Sequence, residues 1–591
     1  MKQSTIHAIL LLIALTCFSV PVFQVGFCHD DAVHNVAASR QEVQHKSYGA
    51  FATGLLHGMV QCQGRVAVLY AFVTVPLLMA IGDNLFLYHV AHCALWGIAL
   101  WSVLSLASSL GGGRRSVLLF VLILALTQFR DYHDPVLNFF LYVPVFLISG
   151  AWTIIFHCRG IAQEKRIYAW LWAPAMYLFG LLNSSEFMLC FFAIGCAVVL
   201  FEPLPLKKKI LGSLPLAGIT LLYLCVSLWL KSQDTITYLG VKPGSSDLIG
   251  STYMIQLASV IPFSYLYWNP GGFMTGWQGE ISLSQLAMAL IGGTCIGVLA
   301  YKGLTESCDM GRHGRRRISL AGVILLFAPP LFTAVSKKYQ AELQWGWGYV
   351  QVAFQVIGCA FLVLGFISWL ASVTIHRQKR YTVASICTAV FAGLIFAGHS
   401  VSNQAVVARL NEYYKTPRDL CKTMLQHYPF TGNKQSIPTL VVDAPWLSRW
   451  EIWEFYYQHT ARRFSVITWK DYAARGNQSQ KEGTNQSAEV YYMSCPRKMS
   501  DNDGRIIIFG RLSSDAPSQG TDSDGTLDNA MVATRSTAET PYTLVNPSGA
   551  LIALTNIYRS TGLLSEPCAL FSTSDRISLN RSYPAIPIVK R

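Results

Sequence analysis

Long apolar runs separated by short polar turns occupy most of the first 400 residues. Runs near residues 6–25, 85–110, 116–129, 136–156, 167–182, 187–202, 210–230, 282–300, 318–335, 349–372 and 382–400 approach or reach the roughly 20 residues that a membrane-spanning helix needs. Eleven spans are predicted. One further apolar stretch, Val66 to Ile81, is 16 residues long and contains Pro76, and it reads as a helix over 66–81 lying on or dipping into the outer membrane face. The first run follows Lys2 and reads as an uncleaved anchor, with a cleaved signal peptide as the alternative. After residue 401 the chain turns polar, and TLVVDAPW, SRWEIWEFYYQHTARR, FSVITW and GRIIIFG predict strand, helix, strand and strand. The expected fold class is a polytopic α-helical membrane protein of about 11 spans with a C-terminal extracytoplasmic α/β domain. The membrane module covers 1–401 and the soluble domain 402–591, whose Ser/Asp/Gly stretch 512–530 reads as a flexible loop.

Composition supports that division. Of 591 residues 52% are hydrophobic and 13% charged, with a mean hydropathy of +0.36. About half the usual charge density of a globular domain excludes an ordinary soluble enzyme, a coiled coil and a disordered chain. A net charge of +14 would suggest nucleic acid in a soluble protein. Here the positives sit in loops: Arg114 and Arg115, Arg159 with Lys165 and Arg166, Lys207 to Lys209, Arg312 with Arg315 to Arg317, and Arg377 with Lys379 and Arg380 fall between alternate pairs of runs. That is the signature of cytoplasmic loops. It predicts a multi-pass integral protein of a bacterial inner membrane or its equivalent, with a cytoplasmic N-terminus and no nucleic-acid partner. The loops 26–84 and 231–281 and the C-terminal domain then lie outside. Cys28 and Cys62 share the first of these loops, so a disulfide is open to them in an oxidising compartment. No CxxC or HExxH spacing points to zinc or thiol chemistry.

The scarce acids gather at the outer turns. CHDDAVH places His29, Asp30, Asp31 and His34 just after the first run; FRDYHDPV places Arg130, Asp131, His133 and Asp134 in a turn; NSSE places Glu186 in the next. Each cluster alone reads equally as a solvated cap or turn. Three on one membrane face suggest surface chemistry. A carboxylate can take the proton of an acceptor hydroxyl attacking a sugar's anomeric carbon, while others orient that base or ligate a divalent cation. A phosphate leaving group needs a positive counterpart. Arg65 is the preferred one, with Arg130, Lys231 and Lys242 on the same side. Trp268, beside Asn269–Gly272 (NPGG) and Trp277, reads either as an interfacial aromatic or as part of a lid over sugar or lipid, and QWGWGY at 344–349 carries the same two readings.

The N-terminal span, the outer loop opening with Asp30 and Asp31, the QGR segment ending at Arg65, and the short apolar stretch leading into GDNLFLYHV resemble the GT-C superfamily of membrane glycosyltransferases. This superfamily includes protein O-mannosyltransferases and oligosaccharyltransferases. The resemblance implies that Asp30 or Asp31 is the catalytic base and that Asp131 and Asp134 are supporting acids. It also implies an inverting single displacement on a polyprenyl-phosphate-linked sugar donor, with a glycan, lipid or protein acceptor and membrane lipid as the other partners. Arg65, His133, Arg130, Glu186 and Trp268 are the expected substrate-binding residues. Mg or Mn remains an open cofactor, with Asp131 and Asp134 as its candidate ligands. The tryptophan that commonly follows the acidic pair in bacterial relatives is missing, and so is a WWDYG-like signature, which favours transfer of one sugar over oligosaccharide transfer to asparagine. Two other readings stand beside this one: a transporter or flippase of an envelope lipid or glycan, and a non-catalytic envelope-assembly factor with the same fold. The near absence of charge inside the spans weighs against a transporter.

Overall fold

The computed structural model describes residues 3–112, 116–183, 186–233, 235–268, 282–305, 310–374, 378–415, 418–419, 422, 437–443, 453–468, 490–494, 506–512 and 564–572. The chain divides into two compact units, one of Met1–Asn35 with Lys46–Asn411, the other of Val36–His45 with Glu412–Arg591. The boundary therefore falls near residue 411 rather than 401. A ten-residue piece of the loop 26–84, residues 36–45, belongs with the C-terminal unit.

The first unit is helical. Among the described residues eight of its helices are long and apolar enough to cross a membrane: Thr5–Gln24, Leu85–Gly111, Tyr142–Ala162, Leu206–Lys231, Leu283–Thr305, Arg312–Ala334, Val352–Val373 and Thr382–Leu410. Each matches a predicted run. The other three runs are helical but shorter, at Ser116–Leu126, at Ala173–Leu181 with the π-helical turn Tyr168–Trp172 before it, and at Met188–Leu200. At 1.5 Å per residue the 13 residues of Met188–Leu200 reach ~20 Å, short of the ~30 Å hydrocarbon core. Tyr70–Ile81 is too short to cross alone, as expected for the stretch 66–81. The first run packs as an element of the bundle, with Ala14 and Cys17 in the core.

Close approach of backbones holds the long helices together. A Cβ on Gly293 would lie 2.6 Å from the carbonyl oxygen of Gly393, and one on Gly322 would lie 2.8 Å from that of Gly358. Only glycine allows such helix contacts, which in lipid replace the missing hydrophobic drive. Several buried polar side chains of the bundle have partners: His92 meets the Val136 carbonyl at 2.7 Å, His399 that of Ala125 at 2.8 Å, and Gln256 the Gln355 side chain at 2.9 Å. Cys28 and Cys62 are free thiols, so they form no disulfide.

In the second unit β1 (Thr439–Asp443), β2 (Ser465–Thr468), β3 (Val490–Ser494), β4 (Ile506–Leu512) and β5 (Leu564–Ser572) form one sheet in the order β2-β1-β3-β4-β5. β1 is parallel to β2 and β3, whereas β4 is antiparallel to β3 and β5. Three of these strands and the helix Trp453–Thr460 fall where the sequence places them. Arg40 ties the helix Ala37–Val43 to Trp453–Thr460 through a 2.5 Å ion pair with buried Glu454. The predicted loop 512–530 lies, beyond its first residue, outside the described residues.

Candidate functional site

The chain leaves its first long helix at Gln24 and reaches extended Cys28, then turns at His29, whose φ of +47° starts the short helix His29–His34. No side chain caps that helix. Asp31 points away from its own helix into the protein, so it is not a cap. Its carboxylate accepts from the Tyr88 hydroxyl at 2.7 Å and the Phe140 N–H at 3.1 Å, and its own N–H donates to Asn138 at 3.3 Å. Burial raises its pKa to about 7, against the hydrogen bond from Tyr88 and with a further upward push from Asp30. Asp30 differs. It is half-buried, lines a cavity, and has no hydrogen bond or ion pair among the described residues.

That cavity has a volume of about 620 Å³. Tyr142 opens one spanning helix, Leu228 and Lys231 close another, and Val335 follows a third, so the cavity sits at one end of the bundle. Backbone contacts join its walls: Thr237 and Tyr238 donate to the Cys62 carbonyl at 3.1 Å, Lys337 to that of Lys242 at 3.0 Å, and Ala67 bridges to Asn183. Four cations line it, Arg65, Lys231, Lys242 and Lys338. Arg65 and Lys338 lie over the Tyr238 ring, at 5.2 and 5.5 Å from its centroid. Burial opposes the charge of Arg65, but Glu186 and the surrounding phenols hold its pKa above the ordinary guanidinium value. Its Nε has no hydrogen-bond partner. Glu186 pairs with Lys231 at 2.6 Å; burial works against its charge, and Arg65 and Lys231 outweigh it to keep the pKa low.

The RDYHDP turn splits by role. Asp134 accepts from the N–H groups of Val136 at 2.8 Å, Leu137 at 3.1 Å and Arg130 at 2.9 Å, so its carboxylate closes its own turn and stays out of the large cavity. Burial raises its pKa to about 6, with Arg130 and those three donors pulling down. Arg130 donates to the carbonyls of Gln128 and Ser259, which makes it a stitch in the fold and not a group on the cavity wall. Asp131 pairs with Arg409 at 3.1 Å and is also off the wall. His133 does line the cavity, stacked on His29 with ring centroids 4.5 Å apart.

Of the nine predicted site residues, the cavity thus gathers Asp30, Asp31, Arg65, His133 and Glu186. Trp268 packs against Trp345 at 5.4 Å, outside the lining; its NPGG neighbour and Trp277 lie outside the described residues. In QWGWGY, Gly346 has φ +82°, and a Cβ there would lie 2.7 Å from the Ser264 carbonyl oxygen, so this glycine lets the segment dock on the helix Ser264–Trp268. Asp131 and Asp134, the candidate ligands of a divalent cation, are committed to Arg409 and to backbone donors, and the described residues hold no group of three His, Cys, Asp or Glu placed to bind a metal.

Sequence reasoning passed over Tyr88, Tyr238 and Lys338. Tyr88 lies inside an apolar run, where a phenol looks like packing. Lys338 had a usable signal, since SKKYQAE is a basic insert between two apolar runs. His34 was visible too, one helical turn after Asp30, and it lines the same cavity hydrogen-bonded to Tyr70.

Fold and cavity together define a multi-pass membrane protein with a charged, aromatic-walled chamber at one end of its helical bundle. No protein-family model and no curated protein matches the sequence. Among solved structures the chain is similar to ArnT from Cupriavidus metallidurans bound to undecaprenyl phosphate, at 10% identity over 84% of this chain and 94% of that one, with a TM-score of 0.43. It is also similar to the apo state of the same protein, at 12% identity with the same coverage and a TM-score of 0.41. Function is argued below from the residues of the cavity itself.

Proposed function

We propose that this protein is a GT-C type membrane glycosyltransferase that moves one sugar from a polyprenyl-phosphate-linked donor to an acceptor hydroxyl at the extracytoplasmic face. The observation that carries the reading is the unpartnered Asp30 carboxylate in a chamber that also holds Arg65, Lys242 and Lys338. Asp30 takes the hydroxyl proton as the acceptor oxygen bonds to the anomeric carbon. The bond from that carbon to the phosphate oxygen breaks, and the phosphate departs with its electron pair toward the cations, inverting the centre. Asp31, anchored by Tyr88 and Phe140, fixes the helix that presents Asp30. The remaining site residues act through shape and charge: His133 forms wall, and Glu186 holds Lys231.

The proposed orientation, with the cavity and the C-terminal domain outside and the N-terminus in the cytoplasm, follows from the basic loops at the opposite end of the helices. The position of the cavity also speaks against transport. A carrier holds its substrate near the bilayer midplane, whereas these polar groups collect at helix ends.

The test is transfer of labelled sugar from polyprenyl-phosphate donors by the purified protein beside Asp30→Asn. Loss of transfer with unchanged folding is expected. Full activity of Asp30→Asn would remove the base assignment, and a folded wild type inert toward every such donor would favour the transporter or assembly readings.

A further inference from the structure

The opposite end of the bundle carries charge that the cavity does not explain. Met188–Leu200 starts beside the cavity residue Phe187 and ends ~20 Å away. There the helix Leu206–Lys231 begins with Lys207 to Lys209, and the helix Arg312–Phe327 begins with Arg312 and Arg315 to Arg317. The two starts flank the same helix end: Lys209 donates to the Leu200 carbonyl at 2.8 Å, and Arg317 pairs with Glu202 at 2.9 Å. Among the described residues seven cations thus face two acids, Glu202 and Glu164, and each acid is already paired, Glu164 with Lys208 at 2.6 Å. Neither helix gains from cations placed where its dipole is already positive. Beside them Leu200, Phe201, Leu206 and Ile210 are exposed.

We propose that this basic surface binds the headgroups of anionic phospholipids, with the exposed apolar side chains packing against their acyl chains. Charge complementarity selects the occupant: the excess of positive charge lies at the ends of two spanning helices, the level at which lipid phosphates surround such helices, and exposed apolar side chains adjoin it. A surface that served only to orient insertion would not discriminate among lipids in the finished protein.

The full chain, purified in nonionic detergent, is titrated with phosphatidylglycerol or phosphatidylcholine, and bound lipid is counted by native mass spectrometry over a range of salt. Preferential retention of phosphatidylglycerol that weakens with salt is expected, reduced at least about fivefold in K207Q/K209Q and retained in K207R/K209R. Equal retention of the two lipids by the wild type overturns the proposal, as does an undiminished preference in the glutamine variant. If that variant does not fold, a wild-type preference indifferent to salt overturns it equally. The readout needs no sugar donor, so it stands or falls apart from the proposed transferase activity.

Discussion

The Tyr88 hydroxyl donates a 2.7 Å hydrogen bond to the carboxylate of Asp31, 57 residues earlier in the chain. Tyr88 belongs to a spanning helix and Asp31 to the short helix His29–His34, so this bond fixes the segment that carries Asp30 to the bundle. Tyr88→Phe keeps the ring and removes the donor. It should lower stability by about 1–2 kcal/mol, because a buried carboxylate loses one of its donors. A thermal midpoint unchanged from wild type would show that the Phe140 N–H suffices.

Neighbouring Asp30 should behave in the opposite way. With no partner to lose, Asp30→Asn should change stability by less than about 0.5 kcal/mol and transfer by roughly 10² to 10⁴-fold. Asp31→Asn should destabilise the fold, because its amide NH2 replaces a buried oxygen that the Phe140 N–H faces at 3.4 Å, setting donor against donor. Melting curves and transfer rates of the two variants together separate base from anchor.

The buried acids set a pH dependence of stability. Burial raises the pKa of Asp31 to about 7 and that of Asp134 to about 6, whereas in an unfolded chain both titrate near ~4. Between those values the folded protein holds protons that the unfolded chain has released. This contribution to stability is therefore fully present below about pH 4 and is lost as the pH rises through 6 and 7. Thermal midpoints measured from pH 5 to 8 should fall across that window, and Asp31→Asn should flatten the upper part of the slope. An identical slope in the variant would mean that Asp31 is ionised throughout.

How legible was this in the sequence? Hydropathy finds the long helices because apolar side chains cover the lipid-facing and core surfaces alike, but it misses Tyr48–Gln63 and Ile249–Ala258 and cannot see where backbone hydrogen bonding departs from the helix. The run expected at 136–156 starts helical only at Tyr142, since Asp134 captures the N–H groups of Val136 and Leu137. The run at 116–129 stops at Leu126, and the Phe129 N–H turns to Asn403, 274 residues away. Acids could be placed on one face from loop alternation, but not sorted. Asp30, Asp131 and Asp134 look alike in sequence; one faces a cavity, one an arginine at the end of the last spanning helix, and one its own backbone.

Asp131 and Arg409 should show coupling. Their 3.1 Å pair is mostly buried, with side chains 11% and 19% exposed, and the Asp131 carbonyl also meets His29 at 3.0 Å. Removing either partner leaves a charge in a poorly solvated place. Asp131→Asn and Arg409→Gln should each destabilise, and the double variant should lose less than the two single losses added, with a coupling energy of roughly 0.5–3 kcal/mol in stability. Strict additivity would mean that the pair does not act as a unit.

Arg65 and Lys231 share the cavity and the acid Glu186, yet they should fail differently. Lys231 holds Glu186 directly at 2.6 Å, with both side chains 23% exposed, so Lys231→Gln strands a carboxylate in a desolvated wall and should cost stability, about 1–3 kcal/mol. Arg65 has a free Nε and rests on the Tyr238 ring, so its guanidinium is available to a phosphate while its stem packs. Arg65→Lys keeps the charge but loses the planar fork. It should raise KM for the phosphate-linked donor several-fold while leaving the thermal midpoint near wild type; Arg65→Gln should raise KM further and lower kcat as well, because the departing phosphate then lacks its counter-charge. A donor KM unmoved by both substitutions would place the phosphate elsewhere, on Lys242 and Lys338 across the same chamber.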